Sequence, residues 1–286
     1  MSLFFVDSNC DLDRDYIKKL GVECIDLSYS INDKVLPFNS DFDYKKFYSK
    51  CKKGVVINNV TFSTDEYIDI FEKCFNLGDD IIYVHSSSNI VNNENLELAK
   101  EILLEKYPDR KFELIDSQNL SIGQGLISNA LAMMYRRGDS LEDIVEKSYE
   151  IRQEYTMYFA VGSTEQMKNK GLIDSSAVSG SLLNVKPVFT VDLDGKISLV
   201  DKVSGKKKAI IKLLEVCRQY GTNVIDYPIA VVYSNDELSA IELVEKLKEY
   251  FGNDAKIHLS KMSPSNAAIL GDSVLGIAFH VYKKIS

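Results

Sequence analysis

Residues 80–88 read DIIYVHSSS, an apolar run of strand length that ends in three serines. Such a run, bounded by turn-forming or hydroxyl side chains, is typical of a strand that a parallel sheet buries on both faces. Residues 3–9 (LFFVDSN) and 111–117 (KFELIDS) have the same design. Segments with helical periodicity separate these strands, at residues 64–75 and 93–106. The alternation predicts an α/β domain whose mainly parallel sheet is flanked by helices on both faces.

The second half of the chain predicts a mixed sheet. Residues 182–191 and 196–203 read as strands on either side of DLDG at 192–195, and an acid–glycine pair between two apolar runs is typical of a hairpin turn. We therefore expect two α/β domains, an N-terminal one over residues 1–157 and a C-terminal, mixed-sheet one over residues 158–286. Further strands are predicted at residues 23–30 in the first half and at residues 158–162, 229–234, 256–261 and 276–282 in the second.

Polar side chains follow each of the first-domain strands. In a parallel sheet the carboxyl ends of the strands meet at one edge, where ligands commonly bind. A rim of hydroxyl and amide groups at this edge could donate several hydrogen bonds to a carboxylate or a phosphate. Alternatively, these residues only cap helices and turn the chain, and we expect Asp7, Asp116 and Ser117 to brace their loops. The rim comprises Ser8, Asn9, Ser86, Ser87, Ser88, Asn89 and, before a predicted helix, residues 58–61.

The composition argues against several classes of function. A net charge of −8 is unfavourable for broad nucleic-acid binding. Five scattered cysteines without a CxxC pair indicate free thiols in a reducing cytoplasm, and three dispersed histidines do not form a metal motif. No apolar run reaches the length of a membrane span, and the first residues lack the pattern of a secretory signal. We expect a cytoplasmic protein without a metal or another cofactor.

The sequence contains no motif of nucleophilic or nucleotide chemistry. A G-x-S-x-G elbow, a P-loop and a G-x-G-x-x-G fingerprint are all absent. A polar rim with Asp7, Ser86 and Asp116 leaves hydrolysis or phosphate chemistry as an enzymatic alternative. We expect no catalytic residue, because the two acids are better suited to bracing their loops.

A cluster of lysines interrupts the acidic character of the chain. Residues 202–208 read KVSGKKK and place three lysines in the first turn of a predicted helix. Cations in that position oppose the helix dipole at a cost of about 0.3–1 kcal/mol each. The cluster therefore forms either a docking patch for an acidic partner or a phosphate, or a solvated face. Its members are Lys202, Lys206, Lys207 and Lys208.

Together these stretches resemble the DegV family over essentially the whole chain. The family pattern D-S-T-x-D-L is similar to residues 7–12, and I-D-S-x-x-x-S-x-G-x-G is similar to residues 115–125. The pattern L-L-x-I-K-P-I with a following D-G turn is similar to residues 182–195, and K-x-R-G-x-K-K-A to residues 202–209. The resemblance implies an EDD-type fold, a fatty-acid head group near the domain junction and an apolar tunnel in the C-terminal domain. It also implies carriers that present acyl chains to a fatty acid kinase.

The chain departs from the family at the implied head-group site. Asn59 aligns with a carboxylate-binding threonine, and Ile90, Leu172 and Ile269 align with a serine, an arginine and a histidine. Because the apolar replacements cannot donate hydrogen bonds, we expect only slight discrimination between a fatty acid and an uncharged analogue. The implied head-group residues are Ser8, Asn59, Thr61, Ser86, Ser87, Asn89, Ile90 and Ile269.

Two functions are compatible with these observations. The first is a cytoplasmic protein that binds a long-chain fatty acid or a related amphiphile, without stable membrane insertion, and presents it to a fatty acid kinase. The alternative is a degenerate, non-catalytic homologue that acts as a regulatory or scaffold partner with an altered ligand. A bound apolar species in the purified protein would favour the first function.

Overall fold

The fold is known from a computed structural model that describes residues 2–39, 41–51, 55–174 and 184–284. Its strands are β1 (Ser2–Asp7), β2 (Glu23–Ile25), β3 (Ser28–Ile31), β4 (Lys34–Leu36), β5 (Ile57–Val60), β6 (Asp80–His85), β7 (Phe112–Asp116), β8 (Tyr155–Val161), β9 (Val185–Val191), β10 (Ile197–Ser204), β11 (Ile229–Tyr233), β12 (Ile257–Lys261) and β13 (Val274–His280). Its helices are α1 (Arg14–Leu20), α2 (Tyr44–Lys50), α3 (Thr64–Asn76), α4 (Glu94–Lys106), α5 (Ser121–Arg137), α6 (Leu141–Ile151), α7 (Glu165–Asn169), α8 (Gly205–Tyr220), α9 (Glu237–Phe251) and α10 (Pro264–Leu270).

The first sheet is parallel throughout, with the strand order β2-β1-β6-β7. Alternate residues of β6 enter different hydrophobic clusters, as strand geometry requires. Ile81 packs in the cluster that holds Phe71 of α3, whereas Ile82 packs in the cluster that holds Leu126 of α5. This confirms the prediction of a mainly parallel sheet flanked by helices. Helix α3 begins with a capping box, in which Ser63 and Glu66 each bond to the other's backbone N–H.

The second sheet is mixed, with the order β10-β9-β8-β13-β11-β12. Strands β11 and β12 are parallel, and the other neighbours are antiparallel. The DLDG turn joins β9 to β10 as predicted, with Gly195 at φ 75°. The predicted strand over residues 182–191 begins outside the described residues, which resume at residue 184. The domain boundary predicted between residues 157 and 158 falls inside β8, so the two domain ranges stay a prediction.

Helix α5 connects the two sheets. It contacts β1 and β6 of the parallel sheet and β8, β11 and β13 of the mixed sheet. Most of its residues are buried, including the polar side chains of Ser121 and Gln124. The largest hydrophobic cluster therefore runs through both halves of the chain instead of ending at a domain boundary. Helices α8 and α9 cover the opposite face of the mixed sheet.

A third, antiparallel sheet was not predicted. Its order is β4-β3-β5, and it corrects two expectations about residues 23–30 and 58–61. Residues 23–30 do not form one strand, because β2 joins the parallel sheet and β3 joins the third one. Residues 58–60 belong to β5 instead of a loop before a helix. Asparagine is unfavourable in strands, but pairing of β5 with the full length of β3 outweighs this preference.

Candidate functional site

The loops at the carboxyl edge of the parallel sheet are joined by a buried hydrogen-bond network. Asp7 accepts bonds from the backbone N–H of Asn9 at 2.9 Å, from Tyr83 Oη at 3.1 Å and from Gln124 Nε2 at 3.2 Å. Ser86 Oγ donates to Gln124 Oε1 at 2.7 Å. Burial raises the pKa of Asp7 to about 6, although these bonds favour the charged form. Gln124 of α5 thus connects the ends of β1 and β6, a role that its sequence neighbours did not reveal.

The side chains of Ser87 and Asn89 are bound by the β9–β10 hairpin turn. Ser87 Oγ donates to the carbonyl of Gly195 at 2.8 Å, and Asn89 Nδ2 donates to the carbonyl of Asp194 at 2.7 Å. A Cβ atom on Gly195 would lie 2.3 Å from Ser87 Oγ. Because their donors are used within the protein, Ser87 and Asn89 hold two parts of the chain together as the structure stands.

The loop after β7 is fastened in the same way. Asp116 accepts from the backbone N–H groups of Gln118 at 2.7 Å and Ser88 at 3.2 Å. Ser117 Oγ bonds to the backbone of Asn119. Lys284 Nζ donates to the carbonyl of Gln118 at 2.8 Å, and burial lowers the pKa of this lysine to about 7. The geometry is that of loop bracing, and the functional assignment of Asp7, Asp116 and Ser117 stays a prediction.

Asn59 has a cationic neighbour that sequence reasoning missed. Lys170 Nζ, just after α7, donates to Asn59 Oδ1 at 3.2 Å and lies 3.4 Å from Asn58 Oδ1. Burial lowers the pKa of Lys170. Thr61 follows β5 directly and is half-buried. The signal was present in the sequence, since Lys170 stands two residues before Leu172, the residue that aligns with the family arginine.

The apolar replacements have become part of the protein core. Ile90 and Ile269 are buried in the largest hydrophobic cluster, and Leu172 packs against it. Ile269 lies on α10, and this helix packs against both β5 and α7. A cavity of about 400 Å³ lies between these elements, lined among others by Ile57, Gln166 and Asp272. Burial raises the pKa of Asp272. The predicted acyl tunnel stays a prediction.

Ser8 points away from the other implied head-group residues. Its Oγ accepts a hydrogen bond from the backbone N–H of Leu27 at 3.1 Å, on the β2 side of the sheet. It lines a separate cavity together with Asp11 and Lys261. The structure therefore places the eight implied residues in three locations: Ser8 at this cavity, Ser86, Ser87, Asn89 and Ile90 in the loop after β6, and Asn59, Thr61 and Ile269 around β5 and α10.

The lysine cluster lies at the start of α8 and is exposed. Lys206 forms an ion pair with Asp236, whereas Lys207 and Lys208 have no ion-pair partner among the described residues. Lys202 lies on β10 and is also exposed. The side chain of Ser204 makes no capping bond to α8. The patch exists as predicted from the sequence, and its role in docking stays a prediction.

The described residues provide neither a metal site nor a membrane span. Over residues 2–39, 41–51, 55–174 and 184–284, His, Cys, Asp and Glu side chains do not gather in groups of three that could hold a metal ion. In the same residues we find no helix that is long and apolar enough to cross a bilayer.

The parallel sheet and the mixed sheet share the buried helix α5, and braced polar loops lie at the carboxyl edge of the parallel sheet. These features define an α/β protein with two large sheets. The chain belongs to the DegV family: the family model described as "Uncharacterised protein, DegV family" matches residues 4–281. The DegV domain-containing protein CPE0304 of Clostridium perfringens is 30% identical over 282 residues, which cover 96% of each chain.

Solved structures have the same fold. A stearic-acid-binding protein from Eubacterium ventriosum superposes with a TM-score of 0.87 at 22% identity and covers 99% of both chains. A DegV family protein from Thermus thermophilus, described for its fatty acid binding, has a TM-score of 0.85 at 22% identity. The match covers 98% of this chain and 99% of that protein. The Streptococcus pneumoniae fatty acid kinase (Fak) B3 protein, loaded with linoleic acid, has a TM-score of 0.81 at 20% identity. The match covers 98% of this chain and 100% of that protein.

Proposed function

We propose that this protein is a cytoplasmic carrier of a long-chain fatty acid or a related amphiphile, and not an enzyme. The observation that carries the proposal is the match of nearly the whole chain to the structure of a stearic-acid-binding protein and to one loaded with linoleic acid. Membership of the DegV family agrees with it, because a similar structure described for its fatty acid binding is also a DegV family protein. Burial of an acyl tail would drive binding, because each CH₂ group contributes about 0.8 kcal/mol before ordering costs.

The head group is proposed to lie between β5, α7 and α10, beside Asn59, Thr61 and Lys170. Lys170 would supply the positive charge that the family arginine has at the position of Leu172. The Asp272 carboxyl group, which lines the neighbouring cavity, would repel the negative charge of a fatty-acid carboxylate. Ser86, Ser87 and Asn89 would position the adjacent loop, since their side chains already bond within the protein. A cation and an acid near one site support only a modest preference for a fatty acid over an uncharged analogue.

The exposed lysine cluster at the start of α8 is proposed to dock a fatty acid kinase. A cluster of exposed cations on a chain of net charge −8 suits an acidic partner surface. One similar structure is described as a fatty acid kinase B3 protein, which supports this type of partner.

The alternative is a non-catalytic regulatory homologue with an altered ligand. The burial of Ile90 and Ile269 in the core favours it, because neither position can now bind a carboxylate.

Native mass spectrometry of the purified protein distinguishes the two. The carrier retains a copurified long-chain acid or takes up added palmitate in a one-to-one complex. A protein that stays free of acyl ligands after exposure to palmitate and oleate is not a carrier of these acids, and this result favours the regulatory homologue.

A further inference from the structure

The edges of the two large sheets meet at a cavity of about 300 Å³ that the proposed lipid site does not use. The loop after β1, residues of β2 and the carboxyl end of β12 all line it. Carboxyl ends of strands are the usual place for ligands in α/β proteins. The volume is at the lower end of the range for small-molecule sites, which suits a compact ligand.

The floor of the cavity contains a buried acid, Asp11. This residue has a positive φ of 50° directly after the short 3-10 helix that follows β1. Its carboxylate accepts bonds from the backbone N–H of Ser263 at 2.7 Å, from Ser121 Oγ at 2.5 Å and from Asn266 Nδ2 at 2.8 Å. Burial raises its pKa to about 7. A buried acid with a perturbed pKa in a cavity is a common sign of a functional site.

The wall of the cavity contains a lysine without a carboxylate partner. Lys261, at the end of β12, places its Nζ 5.2 Å from the ring centre of Tyr44 and 5.6 Å from that of Tyr233. Its ammonium group makes no ion pair with the described residues. The other lining cation, Arg14, is different, since it pairs with both carboxylate oxygens of Asp26. Lys261 is therefore the lining cation that remains available to an incoming anion.

Two hydroxyl groups of the cavity also have unused donors. Ser8 Oγ accepts from Leu27, but among the described residues its hydrogen has no acceptor. The hydroxyl of Tyr44 forms no hydrogen bond with any described residue. By contrast, the second lining acid, Asp13, is already used as the N-cap of α1, where it accepts from the backbone N–H of Tyr16. The free groups are thus donors, which suit an acceptor-rich ligand.

The remaining walls are aromatic and aliphatic. Phe38 and Phe42 stand edge to face at 5.0 Å, and Phe42 and Tyr44 do so at 4.8 Å. Such walls bind a flat apolar body better than a hydrated inorganic ion. The ligand thus needs an anionic end and an apolar body.

We infer that this cavity binds a compact organic acid with an aromatic or flat apolar body. Its carboxylate lies against Lys261 and the Tyr44 hydroxyl, and its body packs against Phe38 and Phe42. A hydroxyl group on the ligand bonds with Ser8 or Asp11 on the floor. The site is separate from the proposed acyl site, because Asn59, Thr61 and Lys170 do not line this cavity. The cavity between β5, α7 and α10 also shares no lining residue with it.

The test is calorimetric titration of the full chain with 4-hydroxybenzoate, with 4-hydroxybenzylamine as a probe of similar shape and opposite charge. We expect saturable one-to-one binding of the acid and at least tenfold weaker binding of the amine. Lys261→Met should weaken binding of the acid at least tenfold, whereas Lys248→Met, which changes an exposed lysine of α9, should leave it unchanged.

The inference is overturned by the absence of saturable 4-hydroxybenzoate binding, by equal binding of this acid to the Lys261→Met protein, or by tighter binding of the amine. Displacement of the acid by stoichiometric palmitate would also overturn it, because it would place both ligands in one site. Thermal unfolding of each variant, compared with the unsubstituted chain, confirms that a loss of binding is not a loss of fold.

Discussion

The loops after β6 and β7 and the cavity at the end of β1 are both rich in polar side chains, but they use them differently. In the loops, Ser86, Ser87 and Asn89 donate to other parts of the protein. In the cavity, Lys261 and the Tyr44 hydroxyl have no hydrogen-bond or ion-pair partner among the described residues. A run of hydroxyl residues after a strand is therefore insufficient evidence of a ligand site. What matters is whether the donors remain unused after folding.

The largest expected effect concerns the contact between the loop after β6 and the β9–β10 hairpin turn, which Ser87 and Asn89 hold together. In Gly195→Ala, the new Cβ would lie 2.3 Å from Ser87 Oγ and 3.1 Å from the Cα of Gln118. We expect a loss of about 3 kcal/mol in the free energy of unfolding, from overpacking and an unfavourable positive φ. The control is Gly21→Ala, which has a similar φ of 71° and no atom within 4 Å of the new Cβ.

Chemical denaturation measures both variants. The control should lose about 1 kcal/mol, the backbone cost alone. Equal losses in the free energy of unfolding of the two proteins would mean that the contact between the turn and the loop does not contribute to stability.

The second prediction concerns Asp11, on the floor of the cavity at the end of β1, and the dependence of the free energy of unfolding on pH. The pKa of Asp11 is raised from 3.8 to about 7, so the folded protein holds this proton more tightly than the unfolded chain does. The stabilising contribution is complete below about pH 4 and is lost as the pH rises towards 7, by roughly 2 kcal/mol between pH 5 and pH 7. Asp11→Asn should lack this slope, so the difference in stability between the two proteins should itself change by roughly 2 kcal/mol between pH 5 and pH 7.

Urea denaturation at a series of pH values provides the comparison. Asp7→Asn serves as the matched variant in the braced loops, where the pKa is about 6 and the affected window ends about one pH unit lower. If the Asp11→Asn curve runs parallel to that of the unsubstituted protein, the carboxyl group is not held protonated near neutral pH.

The smallest expected effect on stability concerns the exposed lysine cluster. Lys206→Glu combined with Lys207→Glu should change the free energy of unfolding by less than about 1 kcal/mol, since the side chains are exposed. Binding to a fatty acid kinase, measured by surface plasmon resonance, should nevertheless be abolished, and binding by the unsubstituted protein should weaken steeply with salt. Lys45→Glu with Lys46→Glu on α2 is the control. Unchanged kinase binding in the first variant would leave the cluster as an ordinary solvated surface.

The sequence predicted those parts of the fold in which local pattern and tertiary structure agree. Residues 80–85 (DIIYVH) form a buried central strand, and DLDG forms the hairpin turn, because short apolar runs and acid–glycine pairs have few alternative structures. The β4-β3-β5 sheet was missed, since asparagines in β5 argue against a strand until its partner β3 is known.

The candidate site was predicted less completely, because its contacts join distant segments. Lys170 reaches Asn59 across 111 positions, and Asn266 reaches Asp11 across 255. The sequence around Asp11 and Asn266 does not indicate their contact. Lys170 stands two residues before Leu172, the residue that aligns with the family arginine, but this position does not reveal the contact with Asn59. The family resemblance located Asn59 and Ile269, but it could not show that Lys170 supplies a cation nearby.

The most direct test of the carrier function is titration of the delipidated protein with palmitate, for the unsubstituted chain and for Lys170→Met. We predict one-to-one binding of micromolar affinity or better, about tenfold weaker in Lys170→Met, with less than a hundredfold preference for palmitate over 1-hexadecanol. A hundredfold ratio corresponds to about 2.7 kcal/mol, and a larger one would require a strong carboxylate clamp elsewhere. Absence of saturable palmitate binding to the folded, unsubstituted protein would contradict the assignment of this chain as a fatty-acid carrier.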